Sequence, residues 1–183
     1  ILDEQSVLQY VDAIPPQLNG AIAPKRADWI RVELLARYGG IWVDASTILT
    51  RSLDWVIEEQ ARTNADFVGY YLKRFTRDAD YPVVENWFLA APPQSPFICD
   101  LRDEFTDRVI IGSNEEYMAT IQREGIYDLV RQNIESPTYL SMHLALQYVL
   151  RMRGGYRLAL ECAEKGPFLY HDASGWSRTN LKI

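Results

Sequence analysis

The hydrophobic and polar positions near the start of the chain predict a helix that is followed directly by a strand. Apolar residues recur at helical spacing over residues 27–38, and Gly39-Gly40 comes next. Because glycine takes the left-handed conformation at a helix end without steric cost, the helix is expected to end there. Residues 41–43 are Ile-Trp-Val, the composition of a buried strand. Asp44 is therefore predicted to lie at the C-terminal end of a central, buried strand.

The rest of the chain continues to alternate between predicted helices and predicted strands. Because this alternation is typical of sheets with helical connections, we expect a single α/β domain with a mixed or mainly parallel sheet covered by helices on both faces. The predicted strands cover residues 66–72, 86–91 and 156–160, and the predicted helices cover residues 4–13, 95–107, 114–123 and 138–152.

Two charged residues fall on the apolar face of the helix at residues 27–38. At about 100° per residue, Asp28 and Arg31 lie within the apolar arc. Glu33 and Arg37 lie together on the solvent side. Asp28 and Arg31 are spaced i, i+3 and can pair, and buried charges must be paired or bound to a ligand. Two interpretations stay open: the pair is a structural bridge, or it faces a polar cavity and binds a sugar or a phosphate.

Asp44 also has two interpretations. An aspartate that closes a strand is often a simple turn residue. In open α/β sheets, however, ligands bind outside the carboxyl ends of the strands, which is where Asp44 is predicted to lie. Ser46 and Thr47 add hydroxyl groups to the same edge of the sheet. The residue type alone favours a turn, and the position shifts the balance towards a ligand site.

Composition and charge limit the class of protein. Of the 183 residues, 48% are hydrophobic and 24% are charged, as in ordinary globular domains, and the net charge of -6 argues against binding to nucleic acid. The sequence has no run of about 18 apolar residues, so no membrane span is expected. Cys99 and Cys162 are too few for a disulfide framework and are expected to be buried thiols. We expect a cytoplasmic protein, peripheral at the membrane if it contacts one.

Residues 27–46 resemble the core motif of a group of sugar transferases. The run contains Ala-Asp-Trp-Ile-Arg, then Leu-Leu, then Tyr-Gly-Gly-Ile-Trp-Val-Asp-Ala-Ser. It is similar to the S-D-x-x-R helix, the Y-G-G turn, the apolar strand and the D-x-D of capsular polysaccharide synthesis proteins and related DXD glycosyltransferases. Residue types and spacing match together over about twenty positions, which is more specific than an isolated D-x-D. Weaker similarity follows at residues 85–91 and 171–176.

The resemblance implies a GT-A glycosyltransferase with a Rossmann-type sheet flanked by helices. It also implies a nucleotide-sugar donor, a glycan or lipid-linked glycan acceptor, a divalent cation (manganese or magnesium) and retention of the anomeric configuration. On this basis Asp28, Arg31 and Asp44 are expected to be catalytic. The residues carried over to substrate binding are Asp28, Arg31, Asp44, Ser46, Asn86, Trp87, Ser174 and Trp176, and those carried over to the metal are Asp44, Ser46 and His171.

Two features depart from the family pattern. Ser46 stands where the second acidic residue of D-x-D is expected, and a hydroxyl group is a poorer ligand than a carboxylate for a hard cation. Metal dependence is accordingly expected to be weak or partial. Family members usually begin with a strand and a helix that help to form the nucleotide pocket. This sequence is expected to begin after them, as an N-terminally truncated catalytic domain would.

Two other classes of function stay open. One is a non-catalytic module that binds a nucleotide sugar or a glycan, which the serine at position 46 and the short N-terminal region favour. The other is a glycoside hydrolase that uses two carboxylates, for example Asp44 and Glu85. Dehydrogenases and P-loop enzymes are disfavoured because neither G-x-G-x-x-G nor G-x-x-x-x-G-K-S/T occurs. His143 has apolar neighbours and is interpreted as structural.

Overall fold

The structure, a computed structural model, is an α/β fold built on a four-stranded sheet, which confirms the predicted class. It describes residues 6–177. The strands are β1 (Gly40–Val43), β2 (Phe67–Tyr71), β3 (Val84–Ala91) and β4 (Leu158–Cys162). The α-helices are α1 (Ala23–Tyr38), α2 (Asp54–Thr63), α3 (Pro96–Glu104), α4 (Asn114–Arg123), α5 (Tyr127–Arg131), α6 (Ser141–Met152) and α7 (Leu169–Ala173). A π-helix at Phe105–Gly112 continues α3.

The sheet is mixed, with the strand order β1-β3-β2-β4. Within the described residues, β3 runs antiparallel to both β1 and β2, whereas β2 and β4 are parallel. Of the two predicted alternatives, a mixed or a mainly parallel sheet, the structure has the mixed one, because residues 72–83, which join β2 to β3, form no helix. A connection without a crossover helix brings the next strand back antiparallel. The prediction of a central, buried β1 is wrong, since β1 lies at one end of the described strand order and is half-buried.

Helices cover both faces of the sheet, and each face has its own hydrophobic core. On one face, Phe67 and Leu89 pack with α1, α3 and α6. On the opposite face, Val68, Phe88 and Ala90 pack with α2 and with the segment around α7. Neighbouring residues of one strand thus belong to different cores, as the alternation of side chains along a strand requires.

An irregularity in β3 determines where Asn86 lies. Gly69 of β2 pairs with Leu89 of β3, and Tyr71 of β2 pairs with Val84 of β3. Two residues along β2 therefore correspond to five residues along β3. The additional β3 residues form a bulge, and bulges bend a strand and redirect its side chains. This bulge places Asn86 beside α1 and places the adjacent Trp87 in the core of the opposite face. Asn86 and Trp87, although adjacent in sequence, therefore lie on opposite faces of the sheet.

Most predicted elements are present with shifted boundaries. Helix α4 matches its prediction, and α1 begins at Ala23 rather than at residue 27 because Pro24 is well suited to a first helical turn. Of the predicted helix at residues 4–13, the structure has a 3-10 helix at Ser6–Gln9, and residues 4 and 5 lie outside the described part. Helices α2, α5 and α7 are absent from the predictions.

Glu33 is not on the solvent side of α1. It is 7% exposed, accepts a hydrogen bond from Arg37 and lies 3.9 Å from Arg102 on α3. Helix α3 packs against α1 and covers this side of it, which the periodicity of α1 alone does not reveal. Glu33 and Arg37 are paired as predicted, but the prediction of an exposed pair is wrong for Glu33.

The cysteines and the helix lengths bear on two further predictions. Cys99 and Cys162 are free thiols that are half-buried rather than fully buried. Within residues 6–177, no helix combines the length and the apolar character that are needed to cross a bilayer.

Candidate functional site

Gly39 connects α1 to β1 and thereby fixes the position of Asp44. The φ angle of Gly39 is 64°, and a Cβ atom at this residue would lie 2.4 Å from the backbone nitrogen of Pro93. Both the backbone conformation and the close approach of the loop after β3 therefore require glycine. Beyond β1, the Asp44 N–H donates to the Trp87 carbonyl (2.9 Å), and Asp44 Oδ1 accepts a hydrogen bond from the Trp42 indole (2.8 Å).

Arg31 joins the two carboxylates that the sequence singles out. Its Nη2 atom lies 3.3 Å from Asp28 Oδ1 and 3.2 Å from Asp44 Oδ1. The Arg31 side chain is 4% exposed, compared with 14% for Asp28 and 32% for Asp44. Its Nε donates to the Ala27 carbonyl, and its guanidinium lies 5.3 Å from the centre of the Trp42 ring. The predicted i, i+3 pair is thus present and buried, and it extends to Asp44.

Asn86 adds a group from β3 to this cluster. Its Nδ2 donates to Asp28 Oδ1 at 3.0 Å. Its backbone carbonyl, which lies in the bulge, accepts a hydrogen bond from Arg31 Nη1. Because buried backbone groups need partners, Arg31 compensates for the interruption that the bulge makes in the strand pairing. Asp28, Arg31, Asp44 and Asn86 therefore form one connected network, which is called the Asp28 network below.

These four residues line a cavity of about 160 Å³. A polar cavity of this size holds several water molecules or a small polar ligand. Its other walls come from the start of α1, the start of α4 and the segment that enters α6. The residues on those walls, which the sequence does not predict, are Ile22, Pro24, Lys25, Asn114, Thr138, Tyr139, Leu140 and Ser141. No local pattern marks them, because they come from separate parts of the chain.

Burial shifts the pKa values of an acid and a base in this cavity. It raises the pKa of the Asp28 carboxyl, and the neighbouring Arg31 guanidinium opposes that shift. It lowers the pKa of the Lys25 ammonium, and the charges of Glu115 and Asp28 oppose that shift. In both residues the charged form is poorly solvated, so each would gain from a ligand that supplies a hydrogen bond or the opposite charge.

His171, Ser174 and Trp176 lie with Trp87 on the opposite face of the sheet. The rings of His171 and Trp176 pack against Phe168, with centroid distances of 5.1 Å and 5.6 Å. Phe168 in turn packs against Trp87 at 5.6 Å. Ser174 Oγ donates to the His171 carbonyl. Because Trp87 follows Asn86 in the bulge, this aromatic group and the Asp28 network lie on either side of the same strand segment.

Asp44, Ser46 and His171, which are predicted to hold a metal, make no hydrogen bond or ion pair with one another in the described part of the chain. Ser46 is exposed in the turn after β1. Among residues 6–177, no three His, Cys, Asp or Glu side chains are placed to hold a metal ion together. Asp44 contacts Arg31 and Trp42 through Oδ1, which leaves Oδ2 for a ligand. A cation at Asp44 would therefore need further oxygen atoms from a bound substrate.

Glu85 is separated from the cavity in which Asp44 lies. It is 7% exposed, is not part of the cavity wall, and its Oε1 lies 3.7 Å from His143 Nε2. His143 is 3% exposed, and its Nδ1 has no hydrogen-bond partner among the described residues. The two carboxylates do not face a common space, so this geometry gives no support to a hydrolase that uses Asp44 with Glu85.

A family match covers most of the chain. Residues 2–165 match the family described as capsular polysaccharide synthesis protein. The matched range includes Asp28, Arg31, Asp44 and Asn86. The chain belongs to the capsular polysaccharide synthesis protein family. Searches of curated proteins and of solved structures found no match.

Membership of the capsular polysaccharide synthesis protein family indicates a role in capsular polysaccharide synthesis. Residues 166–183 lie beyond the match, so the family match does not cover His171, Ser174 and Trp176. The Asp28 network is accordingly the part of the predicted site that lies within the match and that the structure brings together in one cavity.

Proposed function

We propose that this family member is a glycosyltransferase that moves a sugar from a nucleotide-sugar donor to a hydroxyl group of a glycan or lipid-linked glycan, with retention of the anomeric configuration. The observation that best supports the proposal is the connected network of Asp28, Arg31, Asp44 and Asn86 on one cavity wall. A few convergent polar groups in a cavity suit the recognition of sugar hydroxyls. A role in polysaccharide synthesis agrees with such a substrate.

Asp28 and Asn86 are proposed to bind the transferred sugar. Asp28 Oδ1 contacts Arg31 and Asn86, which leaves the second carboxylate oxygen for a sugar hydroxyl. A hydroxyl that donates to an ionised carboxylate forms a charge-assisted hydrogen bond. Such a bond would also compensate for the poor solvation that raises the pKa of Asp28.

Arg31 is a positioning residue in this proposal. Its side chain is 4% exposed, and its donors are directed at Asp28, Asp44 and backbone carbonyls. The planar guanidinium holds several acceptors in a fixed geometry. Arg31 thereby keeps the two carboxylates at a fixed separation before the donor binds, which reduces the reorganisation needed during the reaction.

Asp44 is proposed to face the diphosphate of the donor together with a manganese or magnesium ion. When bound, such an ion neutralises charge on the departing nucleoside diphosphate. One carboxylate together with phosphate oxygens and water is a usual environment for magnesium. The contacts of Asp44 with Arg31 and the Trp42 indole keep its carboxylate at the end of β1, where it can serve this role.

Ser46→Asp should tighten cation binding in the presence of a nucleoside diphosphate, because it restores a second carboxylate in the turn after Asp44. The expected gain is about tenfold in apparent manganese affinity, measured by isothermal titration calorimetry. Ser52→Asp, which adds the same charge outside the D-x-D position, is the control. Equal manganese affinity in Ser46→Asp, Ser52→Asp and the wild type would show that position 46 does not face the cation.

A thermal-shift screen tests the proposed function as a whole. The full chain is heated with a panel of nucleotide sugars, with and without manganese, and every donor that raises the melting temperature is then assayed for release of the nucleoside diphosphate. A ligand that binds only the folded state raises apparent stability. We expect one donor class to bind and to turn over. Binding without any turnover would favour a non-catalytic nucleotide-sugar module, and no binding would contradict the proposal.

A further inference from the structure

Lys25 is a charged residue of the cavity that has no ion pair in the described part of the chain. Asp28, Arg31 and Asp44 are paired with one another. The Lys25 ammonium instead donates to a neutral group, Asn114 Oδ1, at 2.7 Å. The charges of Glu115 and Asp28 act on Lys25 from a distance, but within the described residues neither carboxylate contacts its ammonium directly.

Asn114 holds the Lys25 ammonium at the cavity wall. Asn114 Nδ2 donates to the Thr138 carbonyl at 2.9 Å, and this bond orients Asn114 Oδ1 towards Lys25. An ammonium has three donors, so further donors remain for a ligand after the bond to Asn114. Burial lowers the pKa of Lys25, which is the effect that an anion bound beside it would reverse.

Ser141 places a hydroxyl group on the same wall. The residue is 4% exposed and lines the cavity, and its hydroxyl makes no hydrogen bond with the described residues. Because this hydroxyl is open to the cavity, it can donate a hydrogen bond to a ligand there. Ser141 also begins α6, a helix whose N-terminus has no side-chain cap and so presents partial positive charge there.

The position of Lys25 along α1 indicates which part of a substrate it would meet. Lys25, Asp28 and Arg31 are spaced i, i+3 and i+6, so Lys25 lies about 9 Å along the helix from Arg31. Asp44 contacts Arg31, at the far end of this row. If the diphosphate lies at Asp44 and the sugar at Asp28, Lys25 meets the side of the sugar that is remote from the diphosphate.

We propose that Lys25 and Ser141 form a subsite for a carboxylate carried by a sugar substrate, so that the enzyme selects a uronic acid over a neutral sugar. This inference rests on the proposed function for the placement of the donor. The ammonium and the hydroxyl would donate to the two carboxylate oxygens, and charge-assisted bonds of this kind are roughly twice as strong as neutral ones. The carboxylate belongs either to the transferred sugar or to the acceptor.

The test compares pairs of ligands that differ in this carboxylate. Binding of UDP-glucuronic acid and UDP-glucose is measured by calorimetry, as is binding of methyl glucuronide and methyl glucoside with UDP-glucose present. Free glucuronate and glucose, followed by ligand-observed NMR, give a comparison that does not depend on the nucleotide. We expect the wild type to favour the acidic member by about tenfold, in the first pair if the carboxylate is on the donor and in the second if it is on the acceptor.

The variant Lys25→Met removes the charge and keeps the length of the side chain. It should abolish the preference for the acidic ligand, and Lys25→Arg should keep it. Lys73→Met is the matched control, because Lys73 is exposed, does not line this cavity, and its side chain makes no hydrogen bond or ion pair with the described residues. Ser141→Ala should lower the preference by a smaller factor and provides a second test if Lys25→Met unfolds.

The outcomes separate this subsite from the proposed function. No preference in the wild type, or the same preference in Lys25→Met, would overturn the subsite. Equal weakening of both UDP-sugars in Lys25→Met would also overturn it, because Lys25 would then bind the diphosphate. If neither UDP-sugar binds but free glucuronate is preferred through Lys25, the subsite stands and the proposed function fails.

Discussion

Arg31 is the residue through which the three other polar residues of the network are connected. Its guanidinium contacts the carboxylates of Asp28 and Asp44 and the carbonyl of Asn86, which come from α1, the end of β1 and the β3 bulge. With 4% exposure it cannot exchange these partners for water. Its removal would therefore leave the Asn86 carbonyl without a donor and the Asp28 and Asp44 carboxylates without their charge partner.

Arg31→Met should lower the free energy of unfolding by about 3 to 5 kcal/mol, because it leaves the buried Asp28 carboxylate without its charge partner. The double variant Asp28→Asn/Arg31→Met should recover much of this loss, since it removes both buried charges. Urea unfolding of the two variants measures the effect. Donor turnover should be lost in both variants. Recovery of turnover together with stability in the double variant would show that the pair is only a structural bridge.

Asp28→Asn should depend on pH in a defined direction. Because burial raises the pKa of Asp28, its protonation stabilises the fold below the ordinary pKa, and this contribution is lost as pH rises through the raised pKa. Relative to wild type, the variant should therefore gain stability from acidic pH towards pH 7. At pH 7 the free energy of unfolding of Asp28→Asn should be at most about 1 kcal/mol below that of the wild type, or higher than it.

Urea unfolding of Asp28→Asn and wild type at several pH values checks this expectation. Asparagine keeps an oxygen that can accept the hydrogen bond from Asn86, and Arg31 keeps its contact with Asp44. A loss of several kcal/mol at pH 7 would mean that the Asp28 charge stabilises the fold more than its burial costs. That result would contradict the view that Asp28 is retained for ligand binding.

The unit formed by α1, Gly39 and β1 delivers both carboxylates to the cavity. Asp28 and Arg31 lie on the helix, Asp44 lies at the end of the strand, and the turn between them determines their separation. The loop after β3 packs so closely on Gly39 that a side chain there would meet the Pro93 backbone. A change at this turn should therefore reach Asp44 without altering any residue of the cavity.

Gly39→Ala should be destabilising by more than about 1 kcal/mol relative to Gly40→Ala. Both glycines have positive φ angles, of 64° and 103°, so alanine is strained at either position. A Cβ atom at residue 40 meets nothing within 4 Å, whereas one at residue 39 meets backbone atoms of Pro92 and Pro93. Chemical unfolding of the two variants isolates the steric contribution. Equal losses would show that the Pro93 contact does not constrain the turn.

The elements of this unit are predictable because each depends on local sequence. Apolar spacing defines most of α1, Gly39-Gly40 ends it, and the apolar composition of residues 41–43 defines β1. The strand order depends on contacts between distant segments of the chain. The same is true of the antiparallel pairing of β2 with β3, which makes the sheet mixed. The β3 bulge, which brings Asn86 to Asp28, likewise depends on how β2 and β3 pair.

At the scale of the whole molecule, the candidate site combines segments that are distant in sequence. Helical geometry and the family resemblance identify Asp28, Arg31 and Asp44, because they lie within one short run. Lys25, Asn114 and Ser141 reach the same cavity from three helices. Each looks like an ordinary helix-terminal residue in the sequence, and only the tertiary fold brings the starts of α1, α4 and α6 to one cavity. The sequence therefore predicts the centre of the site and not its walls.

The proposed donor site lies at one end of the sheet, between its two faces. The Asp28 network lies on the α1 face, and the His171–Trp176 segment lies on the α7 face, with Asn86 and Trp87 between them in β3. A donor at Asp44 would thus lie beside the boundary between the two hydrophobic cores. Because ligands of open α/β sheets bind at the carboxyl ends of strands, this edge suits the proposed donor site.

Release of a nucleoside diphosphate by the wild type and by Asp44→Asn tests the central proposal most directly. The donor is the nucleotide sugar that gives the largest thermal shift with manganese, and Asp103→Asn, a half-exposed residue of α3 paired with Arg102, is the control. We predict that Asp44→Asn stays folded and lowers the rate by about 10²-fold or more, because it removes the carboxylate that would hold the cation at the leaving group, while the control keeps the wild-type rate. Equal rates for Asp44→Asn and wild type, or no turnover of any nucleotide sugar by folded wild type, would contradict the proposal.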